Sequence, residues 1–369
     1  MRICFVTSAL PDVPCGIGDY TSMLAEALSR AGQDVSVITT SSPRLLPSSS
    51  YSIVPLDTDW SAGQAKLIAD AAMNLHPDVV HVQFPGASYG RGFGATLLPW
   101  HLRFRRQRPG LVATLHEFHV FRFRFRARMA AGFSASDLVI SPDPIVLASV
   151  RRMLRFRPGL QTRLIPIGTN IVPTSAPGAG PEVDLRRRPD ELIVGHWGFL
   201  RADKGIESLV DAFARVRSVR AARLVLAGDP GPNTEYARRI DALIAERGLA
   251  DDVLITGRLD SEQLSAVLKD LDVCVLPYRD GLAQNRTTYA AMVAHGGYTV
   301  TTRVGDAGYD PNTNTMFVAP GDAEAIAKAI LEASDHPRRE PVCGDVTSWD
   351  DVARLHLEAY GAIGRKPRS

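Results

Sequence analysis

Long hydrophobic runs are missing from this 369-residue chain. No stretch approaches the roughly 18 apolar residues that would suggest a membrane-spanning helix. A large charge of either sign is also missing. The formal net charge is +2, which excludes whole-molecule steering onto DNA or RNA. Cysteine is scarce. Cys4, Cys15, Cys274 and Cys343 form no CxxC and no regular spacing, so neither a disulfide framework nor a zinc ribbon is expected. Cys4 and Cys274 lie in apolar runs, where a free thiol packs as a small hydrophobe, and a reducing cytoplasm fits that usage. The opening MRICFVTSALPDVP runs into Pro and Asp without a small-residue cleavage pattern, so it reads as a first buried strand and not as a secretory leader. No Gly-x-Ser-x-Gly elbow occurs, which disfavours a serine hydrolase.

The composition that is present, 45% hydrophobic, suffices for buried cores and two domains. Short apolar runs alternate with amphipathic ones. Ile3–Thr7, Val35–Thr39, Val79–Gln83, Leu111–Leu115, Leu138–Ile140 and Arg163–Pro166 read as strands, and Gly18–Ala31 and Ala62–Leu75 as helices. Residues 173–190, PTSAPGAGPEVDLRRRPD, lose all periodicity and read as a linker. Alternation then restarts. Strands are expected at Ile193–Trp197, Leu224–Ala227, Val253–Thr256, Val273–Leu276, Thr299–Thr302 and Met316–Val318. Helices are expected at Ile206–Val216, Asn233–Glu246, Ser261–Leu268 and Trp349–Ile363. Strand–helix alternation with few hairpin signals implies parallel sheets. The expected architecture is therefore α/β. An N-terminal Rossmann-like domain covers 1–172 and a C-terminal one covers 191–345. Residues 346–369 form a final helix and tail that packs back on the N-terminal domain. Ligands bind such sheets beyond the carboxyl ends of their strands, so two facing domains would share a cleft.

Several loops follow strands and could carry chemistry there. Gly16 and Gly18 let the backbone approach a ligand at a helix start, with Asp19 and Tyr20 beside them. The position three after Gly18 is Thr21, so the dinucleotide fingerprint is incomplete. His116-Glu117 ends the strand VATL, and the spacing to His119 is not HExxH. The strongest signal is Gly198-Phe199-Leu200-Arg201-Ala202-Asp203-Lys204-Gly205. Arg201 and Lys204 at a helix N-terminus suit a diphosphate, although the loop is not a Walker motif. Leu276 to Thr288 is a polar loop feeding a second helix. There Thr287 and Thr288 suit phosphate oxygens and Asp280 suits sugar hydroxyls. Asp270-Leu271-Asp272 has the form DxD, but it runs into the buried strand VCVLP and reads as a helix-to-strand junction, not a metal site. A basic–aromatic series, 100–108 and 121–128 with Arg151, Arg152, Arg155 and Arg157, is either a solvated face or a contact surface for anionic lipid, an acceptor phosphate or nucleic acid.

Taken in order along the chain, these pieces resemble glycosyltransferase family 4, retaining enzymes of the GT-B fold. The matching segments are the Gly-Ile-Gly loop, the His116-Glu117 step, Gly198 to Gly205, LVLAGD at 224–229, ITG at 255–257, DVCVLP at 272–277 and the SWDDVARLHLEAY tail. The resemblance implies transfer of a hexose from a UDP- or GDP-linked donor to an acceptor hydroxyl without a metal or other cofactor. The acceptor would be a glycan, a lipid-linked sugar or a small molecule; no nucleic acid is implied. It implies that Gly16 and Gly18 line the diphosphate and acceptor side, with Asp19, Tyr20 and Glu117 toward the acceptor. His116 would face the donor sugar and Lys204 with Arg201 would hold the diphosphate. Gly198 lies in the same loop. Gly257, Arg258 and Leu259 would flank the base, and Arg286, Thr287 and Thr288 would meet the phosphates. Two departures stand out. Ala290 occupies the place of a glutamate that the family uses on ribose, and Phe199 replaces an arginine. They admit an alternative, a GT-B-like protein that binds nucleotide without turning it over. If the basic–aromatic series is a contact surface and not a solvated face, it points to peripheral contact with the inner membrane face on the cytoplasmic side.

Overall fold

A computed structural model describes the chain apart from residues 12–14, 46, 85–88, 90–91, 117, 119–121, 170, 172, 174–182, 229–233, 283–286, 340–347 and 365–369. It divides into two compact units. Unit 1 takes Met1–Gly168 and Thr347–Ser369, and unit 2 takes Thr169–Val346.

Unit 1 contains β1 (Arg2–Val6), α1 (Gly16–Arg30), β2 (Asp34–Thr40), β3 (Ser52–Leu56), α2 (Ala65–Asn74), β4 (Val79–Phe84), α3 (Gly94–Arg103), β5 (Gly110–Leu115), α4 (Phe123–Phe133), β6 (Leu138–Ser141), α5 (Pro144–Met153) and β7 (Gln161–Leu164). Its seven strands are parallel in the order β3-β2-β1-β4-β5-β6-β7. Because side chains alternate along a strand, β1 sends Ile3 and Phe5 to one face and Cys4 and Val6 to the other. The first face is covered by α1 together with the last helix of the chain, and the second by α2 to α5. Both faces being covered explains why the central strands read as continuous apolar runs.

Unit 2 contains β8 (Leu192–Trp197), α6 (Ile206–Arg217), β9 (Ala222–Ala227), α7 (Thr234–Glu246), β10 (Val253–Ile255), α8 (Ser261–Asp270), β11 (Val273–Leu276), α9 (Thr287–Ala294), β12 (Tyr298–Thr302), β13 (Gly308–Asp310), β14 (Thr315–Val318) and α10 (Ala323–Leu331). The last helix, α11 (Trp349–Gly364), belongs to unit 1. The sheet order is β10-β9-β8-β11-β12-β14-β13, parallel except for the short hairpin strand β13. In each unit the strand order reverses beside the first strand, between β1 and β4 and between β8 and β11. That reversal opens a crevice at the carboxyl edge.

The structure alters one boundary. Residues 183–190, expected within a free linker, pack on unit 2. Leu185 is buried in its core, and Arg187 pairs with Asp272. Asp272 also accepts from the Ile193 amide at 2.7 Å, so the DxD carboxylate is spent on the junction that the pattern suggested.

Candidate functional site

In unit 2 the loops that follow β8 and β11 meet at the strand reversal. β8 pairs with β11 only through Val194 and Gly195 and then parts from it. His196 bridges the opening, its Nδ1 2.9 Å from the Val275 carbonyl oxygen. Burial, with a smaller contribution from the Lys204 charge, depresses this imidazole to about 4, so the ring is neutral near pH 7. An imidazole in that state with Nδ1 donating leaves Nε2 as an acceptor, and this atom is buried without a partner among the described residues.

The expected phosphate loop folds as a tight turn. Gly198 has φ +117° and Gly205 φ +68°, conformations that favour glycine. A Cβ on Gly205 would lie 2.1 Å from the Pro277 carbonyl oxygen, and one on Gly198 would lie 3.1 Å from Thr288 Cγ2. The loop after β8 is therefore pressed against both the β11 loop and the start of α9. Lys204 sits in a 3-10 turn, Ala202–Lys204, and is buried to 8% exposure. Its ammonium lies 5.0 Å from the centroid of the Tyr278 ring, within cation–π range. The ring of Tyr278 is fully buried, and its hydroxyl hydrogen-bonds Thr288 Oγ1. One aromatic side chain thus joins the cation to the first turn of α9, where unpaired amides and the positive end of the helix dipole collect.

Arg201 is placed differently from expectation. It is exposed and turned onto Asp203, with Nε at 3.0 Å from Oδ1 and a terminal nitrogen at 3.1 Å from Oδ2. The two side chains are two residues apart in sequence, so local charge pairing draws the guanidinium onto Asp203. Asp280 is exposed in the turn after β11, on the same edge. Gly257 has φ +72° with open space around it, and exposed Arg258 and half-buried Leu259 follow it at the carboxyl end of β10. Thr287 and Thr288 open α9 as expected, and Arg286 lies outside the described residues. Among the described residues, no cluster of His, Cys, Asp and Glu could hold a metal ion.

In unit 1 the other candidates stand at the carboxyl edge of their own sheet. Gly16 starts α1 with nothing within 4 Å of a Cβ position, whereas Gly18 is held against Ala9 and Leu10 backbone at 3.1 Å. Asp19 is half-buried in the first turn. Tyr20 is a packing residue. Its ring is buried edge-on to His116 at 4.6 Å and to Trp349, and its hydroxyl lies 3.4 Å from His356 Nε2. His116 is buried at the end of β5, with Nε2 2.9 Å from Gln83 Oε1. An amide oxygen can only accept, so the ring carries its proton on Nε2. Burial, and then the nearby His356, hold it down at about 3. Beneath it His81 bonds Tyr360 and Thr114, both at 2.7 Å. Glu117 lies outside the described residues.

Sequence reasoning did not single out Tyr278, His196, Gln83 or His356. For Tyr278, His196 and Gln83 the available signal was a polar or amphipathic residue at the carboxyl end of an otherwise apolar strand, as in VLPY, IVGHW and VVHVQF; His356, within α11, carries no such signal.

Two family profiles match the chain, "Glycosyltransferase Family 4" over residues 14–171 and "Glycosyl transferases group 1" over residues 191–336. The chain belongs to glycosyltransferase family 4. A family relative, the D-inositol 3-phosphate glycosyltransferase of Stackebrandtia nassauensis, is 31% identical over 227 residues, 53% of this chain and 50% of that protein. The alpha-D-kanosaminyltransferase of Streptomyces kanamyceticus is 29% identical over 48% of this chain and 46% of its own length. The chain thus spans about half the length of the curated relatives it matches. Among solved structures, Anabaena Alr3699/HepE, in complex with UDP and glucose, superposes with a TM-score of 0.72 at 16% identity, over 98% of this chain and 100% of that one. Sucrose-phosphate synthase from Thermosynechococcus elongatus gives 0.68 at 23%, over 99% and 96%. These neighbours establish the GT-B fold of this family member.

Proposed function

We propose that the chain transfers a hexose from a UDP- or GDP-linked donor to an acceptor hydroxyl with retention of configuration. The observation that carries this reading is Lys204, seated on the Tyr278 ring at the strand reversal of unit 2 beside the N-terminus of α9. Breaking the anomeric C–O bond develops negative charge on the leaving diphosphate. A preorganised ammonium and helix-end amides stabilise that charge more than the ground state, so they lower the barrier. With positive charge supplied by these groups, the reading needs no metal. A departing phosphate oxygen would then take the acceptor proton on the same face. In unit 1 the neutral His116 imidazole suits a hydrogen bond with a sugar hydroxyl, not a charged contact. The names of the relatives, an inositol phosphate glycosyltransferase and a kanosaminyltransferase, support sugar transfer to a hydroxyl. Acceptors in the proposal are a lipid-linked sugar or a glycoconjugate precursor, in a reducing compartment consistent with free Cys4, Cys15 and Cys274.

A thermal-shift panel of UDP, GDP, ADP and TDP sugars tests the donor. A ligand at 100 times its Kd adds about 2.7 kcal/mol of stability. One base should shift the native chain and shift Lys204→Ala less. No shift with any donor contradicts the reading. The second reading, nucleotide binding without transfer, rests on Ala290 and Phe199. Slow release of free sugar from the stabilising donor would exclude it.

A further inference from the structure

The basic–aromatic series that looks continuous in sequence is split by the fold between two edges of unit 1. Phe123 and Arg124 follow the carboxyl end of β5. The C-terminal end of α3, the turn after α5 and their arginines lie at the opposite, amino edge, because a crossover helix runs antiparallel to its strands. Trp100 and Phe104 stack there with centroids 6.1 Å apart, Phe104 at 78% exposure and Trp100 at 39%. Phe156, after α5, is 66% exposed. Some arginines at this edge serve the fold. Arg103 caps the Ala135 carbonyl at 3.1 Å, Arg108 pairs with Asp137 at 2.6 Å, and Arg105 pairs with Asp70. Burial holds the Arg103 guanidinium below its ordinary value and the charge of Arg157 adds to that, so the turn after α5 comes within charge range of the α3 end, with α4 packed against both helices. Arg106, Arg152 and Arg155 are exposed and make no ion pair with a described residue.

We propose that this amino edge, built from Trp100, Phe104, Phe156, Arg106, Arg152 and Arg155, docks on an anionic lipid bilayer. Exposed Trp and Phe side chains suit the headgroup–acyl boundary, where an apolar ring is buried without leaving the interface. Arg106, Arg152 and Arg155, which pair with no acid among the described residues, draw anionic headgroups. A second copy of the chain is a poorer occupant. A two-fold contact places the same patch against itself and would bring these arginines together. Docking here engages the edge opposite His116 and Gly16, so the carboxyl edge of unit 1 stays open to ligands. The inference does not depend on the proposed chemistry.

Co-sedimentation of the full chain with vesicles tests it. One set is phosphatidylcholine alone, and the other is phosphatidylcholine with an equal part of phosphatidylglycerol. Binding is expected to the mixed vesicles only, weakening as salt rises. Arg152→Glu with Arg155→Glu should lower partitioning by at least roughly fivefold per arginine. Phe104→Ser with Phe156→Ser should abolish it, and both double variants should keep the native melting temperature. Equal sedimentation with both vesicle types, or binding untouched by either double variant, overturns the proposal. So does concentration-dependent self-association that the Phe pair removes while vesicles capture nothing.

Discussion

Tyr278 makes two separable contacts, and substituting it in two ways tests whether the cradle is built as described. Tyr278→Phe keeps the ring beneath the Lys204 ammonium and deletes only the hydroxyl that bonds Thr288. Losing the Thr288 bond and leaving that threonine hydroxyl incompletely satisfied costs about 1–2 kcal/mol. Tyr278→Leu deletes the hydroxyl bond and also the cation–π contact, for which about 0.5–2 kcal/mol is typical. It leaves space in a fully buried position as well, so the total is about 3–5 kcal/mol. The assay is thermal unfolding followed by nucleotide titration of each variant. Phe should unfold slightly below native and bind nucleotide several-fold more weakly, since the first turn of α9 loses its tether. Leu should lose more in both. If Phe equals native in unfolding and in nucleotide affinity, the tether carries no energy. If Leu equals Phe, the ring does not hold the lysine.

Two glycines predict opposite outcomes. Gly205→Ala forces a Cβ onto the Pro277 carbonyl at a positive φ and should cost at least about 1–2 kcal/mol, read as a lower melting temperature. Gly16→Ala meets open space and should leave stability unchanged or slightly raised while reducing transfer, so an equal loss of stability would contradict its assignment to a ligand-facing helix start. Acid should loosen unit 1. His116 and His356 are held by burial at about 3 and about 4, below the unfolded value near 6.5. Their stability contribution is whole above about pH 6.5. As pH falls toward the folded values, the unfolded chain binds protons that the folded chain refuses. Each histidine then costs about 1.4 kcal/mol per pH unit, roughly 2 kcal/mol apiece at pH 5. The protection factors of α11 amides, corrected for the intrinsic slowing of exchange in acid, should fall from pH 7 to 5, and unchanged protection would refute the buried-histidine account.

The alternating sheets were readable because central strands such as CFV, VVHV and VCVL are apolar on both faces, and their helices show one apolar stripe. Other elements hid for physical reasons. α4 begins FRFRAR, which alternates like a strand. Only packing shows that Phe125, Met129 and Phe133, four apart, form its inward face. α3 carries Pro99, which argues against a helix interior, yet the proline is buried within it. β3 contains Pro55 and is an edge strand, where a missing amide is tolerated. The strand expected at Arg163–Pro166 lies at Gln161–Leu164, since its pairing with β6 and not its own pattern sets the ends. In the site, the glycine turns and Lys204 were visible as a loop between strand and helix. The platform under Lys204 was not, because Tyr278 comes from a distant loop that is brought near only by the β8–β11 neighbourhood. The turning of Arg201 onto Asp203 is a local pairing whose outcome the spacing alone left open.

Single-turnover sugar release with the stabilising donor, native chain against Lys204→Ala, weighs the ammonium directly. If this amine stabilises the leaving diphosphate, the variant keeps its fold, loses no more stability than the cation–π contact supplies (about 0.5–2 kcal/mol), and turns over about 10²–10³ times more slowly. A folded Lys204→Ala chain that releases sugar at close to the native rate would contradict the account.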